Sequence, residues 1–167
     1  MIKKKKKLLA VDILFMILLI AVDQITKFFA VVNLKDQNPW VLWNGVFELQ
    51  YLENRGAAFG ILQGKKVFFV LISMIVLIAI GYILIKTPYQ KKYTKLHITL
   101  VFIASGAIGN LIDRIRYDYV IDFLYFRLIS FPIFNVADIY VTLSAIMLAI
   151  LLLFAYKESD LEFLFWK

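Results

Sequence analysis

Apolar residues run almost unbroken through four stretches of the chain, about Leu8 to Val32, Val67 to Lys86, Leu96 to Ile115 and Phe134 to Tyr156. A helix crossing about 30 Å of hydrocarbon needs roughly 20 mostly apolar residues. Four membrane spans are predicted. Between them the pattern changes. In Val46-Phe47-Glu48-Leu49-Gln50-Tyr51 apolar residues alternate with polar ones, as on a strand with one face against a greasy surface. Val120-Ile121-Asp122-Phe123-Leu124 is short, β-branched and aromatic. Asn38-Pro39 and Asn44-Gly45 supply turns before the first strand, and Phe131-Pro132 marks the approach to the fourth span. The expected fold is an all-α membrane protein, a four-helix bundle with a small β-sheet on the outer membrane face. The 167 residues are expected to form a single domain, 1–167.

Composition sharpens this reading. The chain is 62% hydrophobic with a mean hydropathy of +0.81, against roughly 45 to 50% apolar residues in ordinary soluble domains. The net charge of +7 is unevenly placed. Lys3 to Lys7 precede the first span, and Lys86, Lys91, Lys92 and Lys95 crowd the link between the second and third. Basic residues in short loops mark the cytoplasmic side, so both termini are expected inside, and the charge reads as topology rather than nucleic-acid binding. No A-x-A-like site follows the first apolar run, which is therefore expected to be a retained span and not a cleaved leader.

The absence of cysteine excludes disulfides, thiolate metal sites and a Cys nucleophile, and the single histidine, His97, excludes an HExxH zinc motif. No metal and no cofactor are expected. An ionisable residue within a span is a functional candidate by default, and of the 12 acids that filter leaves those in or against the spans, Asp12, Asp23, Asp113, Asp122 and Asp138. Asp36, Glu48, Glu53, Asp118, Glu158, Asp160 and Glu162 lie in links or the tail, where solvation explains them. Asp12 sits one turn from the cytoplasmic end beside five lysines, as an interfacial acid would. Asp23 has Lys27 at i+4 on the same helix face, which suits either a structural ion pair or support of a site.

In Gly106-Ala107-Ile108-Gly109-Asn110-Leu111-Ile112-Asp113-Arg114, Ser105, Gly106 and Gly109 can admit a close helix neighbour. Asn110 and Arg114 share a face. The plain alternative is a packing motif in which Asp113 pairs with Arg114 or Arg116. Asp122 lies in the short strand, and Asp138 begins the fourth span with Asn135 one turn earlier and Thr142 one turn later on its face. Both carboxylates map to the outer boundary. Two adjacent aspartates can share a proton, one activating water while the other polarises a carbonyl. A proton- or ion-coupled transporter using the same acids is the rival by class, but it needs polar groups through the full membrane thickness. A scaffold would leave Asp122 and Asp138 unexplained.

These motifs resemble those of bacterial lipoprotein signal peptidase, the type II signal peptidase, along the whole chain. The resemblance rests on Asp23-Gln24-Ile25-Thr26-Lys27, Asn54-Arg55-Gly56-Ala57-Ala58-Phe59-Gly60, Gly106 to Arg114, Val120-Ile121-Asp122-Phe123 and Phe134-Asn135-Val136-Ala137-Asp138, in that order. It implies a catalytic dyad of Asp122 and Asp138. It implies substrate-binding or dyad-supporting roles for Asp23, Lys27, Asn54, Gly56, Asn110, Asp113, Arg114 and Asn135. The implied fold is four helices with an outer β-cradle. The implied substrate is a diacylglyceryl-modified prolipoprotein, cut just before its lipidated cysteine by a monomeric enzyme among lipids of the bacterial cytoplasmic membrane. Asn54 to Gly60 is the expected cover of the site. Ser105 and Ile139-Tyr140 depart from the family's smaller residues, which bears on packing beside the dyad.

Overall fold

The computed structural model describes residues 2–56 and 63–165. Among them, four helices are long and apolar enough to cross a membrane: α1, Ile2–Leu34; α2, Lys66–Lys86; α3, Thr94–Tyr117, preceded by a 3-10 turn Lys91–Tyr93; and α4, Val136–Ile150, extended by a π turn Leu151–Ala155. The first and third extend past the predicted apolar stretches at both ends and α2 starts one residue earlier, because the lysines and other polar residues there continue the helix into the polar layers. The chain is a multi-pass membrane protein.

Helix α3 is the central one. It packs on α1, α2 and α4 and buries Leu96, Leu100, Val101, Ala104, Ser105, Gly106, Gly109 and Leu111. Small residues set the approach of α4: a methyl added at Gly106 would sit 2.5 Å from the Ala137 carbonyl oxygen. A methyl added at Gly109 would collide with the Asp23 carboxylate, so this glycine makes room for a charge as well as for a helix. Ser105 spends its hydroxyl on Val101 O at 2.7 Å. Tyr140 meets Phe102 edge-on with ring centres 5.4 Å apart. Ser105 is thereby satisfied within its own helix, and Tyr140 packs across the α3–α4 contact.

Three antiparallel strands form a sheet in the order β1-β2-β3: Trp40–Trp43, Phe47–Asn54 and Val120–Phe126. The first of these is missing from the sequence reading, which places the Asn44-Gly45 turn before the first strand. Those residues instead join β1 to β2, with Gly45 at φ 70°, a conformation that favours glycine in tight hairpins. Every residue of β1 is exposed, so no alternation marks it. On β2 the expected polar face is not free: Glu48 is buried and receives Arg127 Nη1 at 2.7 Å, so solvation does not explain it. Asp160 in the tail is likewise paired, with Lys92. The tail docks through Tyr93, whose ring faces Tyr156 and Phe163 and whose hydroxyl donates to Asp160 O at 2.9 Å.

Two further expectations need correction. The fourth helix begins at Val136, not Phe134; Phe134 bridges Leu124 of β3. Asn135, three residues before Asp138, is therefore the helix cap. Its Oδ1 accepts from Asp138 N at 3.0 Å while Asp138 Oδ2 accepts from Asn135 N at 3.1 Å, a reciprocal capping box. Asp12 is buried and contacts His97 Nδ1 at 2.8 Å, tying α1 to α3 at the end of the bundle remote from the sheet. It is not an acid solvated at the interface.

Candidate active site

The sheet end of the bundle collects the predicted polar residues into two connected shells. Asp122, on β3, and Asp138, in the first turn of α4, line one cavity of about 460 Å³ together with Asn54, Gly56, Asn110 and Arg114. Phe69, Phe131, Pro132, Ile139, Thr142 and Leu143 are among its apolar or weakly polar walls. The volume lies in the range of small-molecule and peptide side-chain sites.

Every oxygen of the two carboxylates has an assigned donor. Asp122 Oδ2 accepts from Asn54 Nδ2 at 2.8 Å and Oδ1 from Asn135 Nδ2 at 2.6 Å. Asp138 Oδ1 accepts from Asn110 Nδ2 at 2.8 Å, and Oδ2 from the capping backbone described above. Asn135 links both sides. Its amide nitrogen also donates to Asn110 Oδ1 at 3.1 Å, so the cap that starts α4 orients Asp122 and Asp138 together. Such fully satisfied buried networks fix one geometry.

Burial, and after it the Asp138 carboxylate, push Asp122 up to about 7. The donors from Asn54 and Asn135 and the charge of Lys27 act in the opposite direction. Desolvation and a like-charged neighbour both disfavour ionisation. A carboxyl that keeps its proton near neutrality, beside a second carboxyl in the first turn of a helix where negative charge is favoured, is equipped to donate and accept protons.

Behind this cavity lies a buried ionic cluster. Lys27 Nζ reaches Asp23 Oδ2 at 3.0 Å, Asp113 Oδ2 at 2.8 Å and Asn110 Oδ1 at 2.9 Å. The three ammonium donors thus have three acceptors. The third bond fixes the Asn110 amide so that its nitrogen faces Asp138. Asp23 Oδ1 receives Ala137 N at 2.9 Å and Asp113 Oδ2 receives Ile121 N at 3.2 Å, so the cluster holds the backbone beside each cavity carboxylate. Asp113 therefore pairs with Lys27 and not with Arg114 or Arg116. Arg114 instead donates to Gly56 O at 3.3 Å and stacks over Phe69 at 4.7 Å.

Gln24 belongs to this cluster although its place in the first motif assigns it no role. Its amide nitrogen lies 3.0 Å from Asp113 Oδ1, 3.2 Å from Asp23 Oδ2 and 3.2 Å from Gly109 O. The signal was its position between Asp23 and Lys27, one residue from a buried charge. Of the expected cover, Asn54 and Gly56 are at the cavity, where Gly56 N donates to Asn54 Oδ1 at 3.0 Å; residues 57–60 lie outside the described residues. Among the described residues no cluster of His, Cys, Asp or Glu is arranged to hold a metal ion.

Comparison with known proteins agrees with this architecture. The family profile described as Signal peptidase (SPase) II matches residues 15–154. A lipoprotein signal peptidase of Clostridium novyi is 44% identical over 145 residues, covering 85% of this chain and 97% of the relative. Another, of Streptococcus pyogenes serotype M5, is 43% identical over 150 residues, covering 89% and 94%. A solved structure described as a bacterial membrane enzyme superposes with a TM-score of 0.77 at 32% identity, covering 89% of this chain and 93% of that one.

Proposed function

Because the chain belongs to the signal peptidase II family, we propose that it is an aspartic endopeptidase that cuts the signal peptide from diacylglyceryl-modified prolipoproteins just before the lipidated cysteine. The observation that carries the reading is the convergence of Asp122 and Asp138 on one cavity under shared control of Asn135. In this mechanism Asp138, at the start of α4, takes a proton from the attacking water, and Asp122, protonated, donates a hydrogen bond to the scissile carbonyl. Proton transfer to the leaving amine then completes the cut. Arg114 and Asn54 can orient the peptide; Asp23, Lys27, Asp113 and Gln24 act behind them as positioning residues. Between this cluster and His97, α3 buries Leu100, Val101 and Ala104, and the hydroxyls of Thr99 and Ser105 donate to the backbone of their own helix, so this stretch carries no ionisable side chain for a transmembrane relay, which supports a peptidase.

Purified protein in lipid, given a prolipoprotein with and without the diacylglyceryl group, should release the signal peptide only from the modified form. Cleavage of both forms alike would remove the lipid from the specificity. Activity should fall as pH rises through about 7, because Asp122 then loses the proton that the mechanism needs. A profile flat from pH 6 to 9 would exclude this division of roles.

We place the protein, as a monomer, in the bacterial cytoplasmic membrane on its family membership, and orient it with both termini inside and the sheet end outside on the lysine asymmetry. The chain has no native cysteine, so a single cysteine substituted for Gln90 should resist an impermeant thiol reagent applied to intact cells. A substituted Asn44 should react. The reverse pattern would invert the topology.

A further inference from the structure

Strand β1 poses a problem that the proposed chemistry does not address. It is an edge strand, hydrogen-bonded to β2 on one side only. Its sequence Trp40-Val41-Leu42-Trp43 has no charge, and all four side chains are 50 to 68% exposed. An uncovered apolar edge in water is a template for aggregation. Next to it the 3-10 turn Arg127–Ile129 exposes Leu128 and Ile129, 69% and 67%. The two segments are joined through Val46, whose N–H donates to Trp43 O at 2.9 Å and whose carbonyl accepts from Leu128 N at 3.4 Å.

The position of this patch identifies what covers it. Trp40 lies over α1, sharing an apolar groove of about 190 Å³ with Phe29, Ala30, Asn33 and Leu34. Phe28, Phe29 and Val32 on the last turns of α1 are 58 to 63% exposed, so the lipid-facing surface of the span continues onto the strand. Measured from Lys7 at 1.5 Å per residue, Phe29 and Asn33 stand roughly 33 and 39 Å along the helix. With Lys7 at the inner edge of about 30 Å of hydrocarbon, and each headgroup layer roughly 5 to 8 Å deep, Phe29 falls in the outer headgroup layer, and a helix tilt of about 20° brings Asn33 to roughly 37 Å, at the outer edge of that layer. The unpaired backbone of an edge strand excludes the hydrocarbon centre, while tryptophan favours the headgroup level.

We propose that Trp40–Trp43, with Leu128 and Ile129, form an interfacial anchor that is covered by phospholipid and seats the sheet in the headgroup layer. Arg127, next to Leu128, fits the same setting: its side chain is largely exposed while its guanidinium is held by Glu48, as suits a long cationic side chain at an apolar–polar boundary. Because Phe131, Pro132 and Ile133 of the following segment line the large cavity, this anchor also sets the cavity wall at lipid depth.

Trp166 is the only other tryptophan, so a full-length Trp166→Phe variant reports on β1 alone. In vesicles of phosphatidylcholine and phosphatidylglycerol, lipids brominated near the headgroup should remove most of its emission. Lipids brominated at the chain ends should remove less, and aqueous iodide little. Strong iodide quenching without bromolipid quenching would overturn the proposal by placing the strand in water. Protection from both quenchers would overturn it in favour of a protein partner, such as a second copy pairing along the edge. As an independent reading, a nitroxide on Leu42→Cys should be relaxed more by lipid-soluble oxygen than by an aqueous nickel chelate; the opposite order would also overturn it.

Discussion

Asp122→Asn and Asp138→Asn are each expected to reduce signal-peptide cleavage by about 10² to 10⁴ while leaving a folded membrane protein. Asparagine keeps the shape of both side chains. At Asp122 it can still accept through its oxygen from Asn54 or Asn135, and at Asp138 its oxygen can still accept from the capping backbone. What it cannot do is take a proton from water or hand one over. Since the two carboxylates work on one proton inventory, the double variant should be little worse than either single one, as is usual for groups that act as a unit. The measurement is turnover of a diacylglyceryl-modified prolipoprotein, with thermal unfolding of each variant in the same lipid. Substantial cleavage by either folded variant would sink the dyad. Multiplicative losses in the double variant would mean that the two act on separate steps.

The spans were legible because a bilayer imposes a length and a composition that few other environments demand. The residues at the helix ends were not, since lysines and other polar side chains satisfy either a helix turn or a loop. β1 escaped because alternation is a signature of a strand with one buried face, and Trp40 to Trp43 have none. The start of α4 was misplaced for a related reason: Phe134 is as apolar as a span residue, and only its bridge to Leu124 assigns it to the sheet. For the candidate site, the identities were visible and the pairings were not. Asp113 has arginines nearby in sequence, yet it meets Lys27, which lies 86 positions away. Only the α1–α3 contact, made close by Gly109, brings those charges together. The pairing of Asp12 with His97 escaped for the same reason.

Those pairings lead to the largest expected loss of stability, at Lys27. Lys27, Asp23 and Asp113 are all buried, and the trio carries one positive and two negative charges. Lys27→Met preserves much of the side-chain volume but leaves two carboxylates out of water with only Gln24 and backbone N–H groups as donors. Removing one partner of a buried pair typically costs about 3 to 5 kcal/mol. It also frees Asn110, whose amide would no longer be held with its nitrogen toward Asp138. The variant should therefore unfold at markedly lower temperature, and whatever remains folded should cleave poorly. Asp113→Asn is the informative contrast. It leaves a balanced Lys27–Asp23 pair, and the new amide oxygen can still accept from Lys27 or Ile121 N, so the loss should be smaller than for Lys27→Met. If the two variants were equally unstable, charge balance would not be what holds the cluster. If Lys27→Met unfolded like the parent, the cluster would carry no net stability, and an effect on activity alone would leave the Asn110 link as the sole role of Lys27.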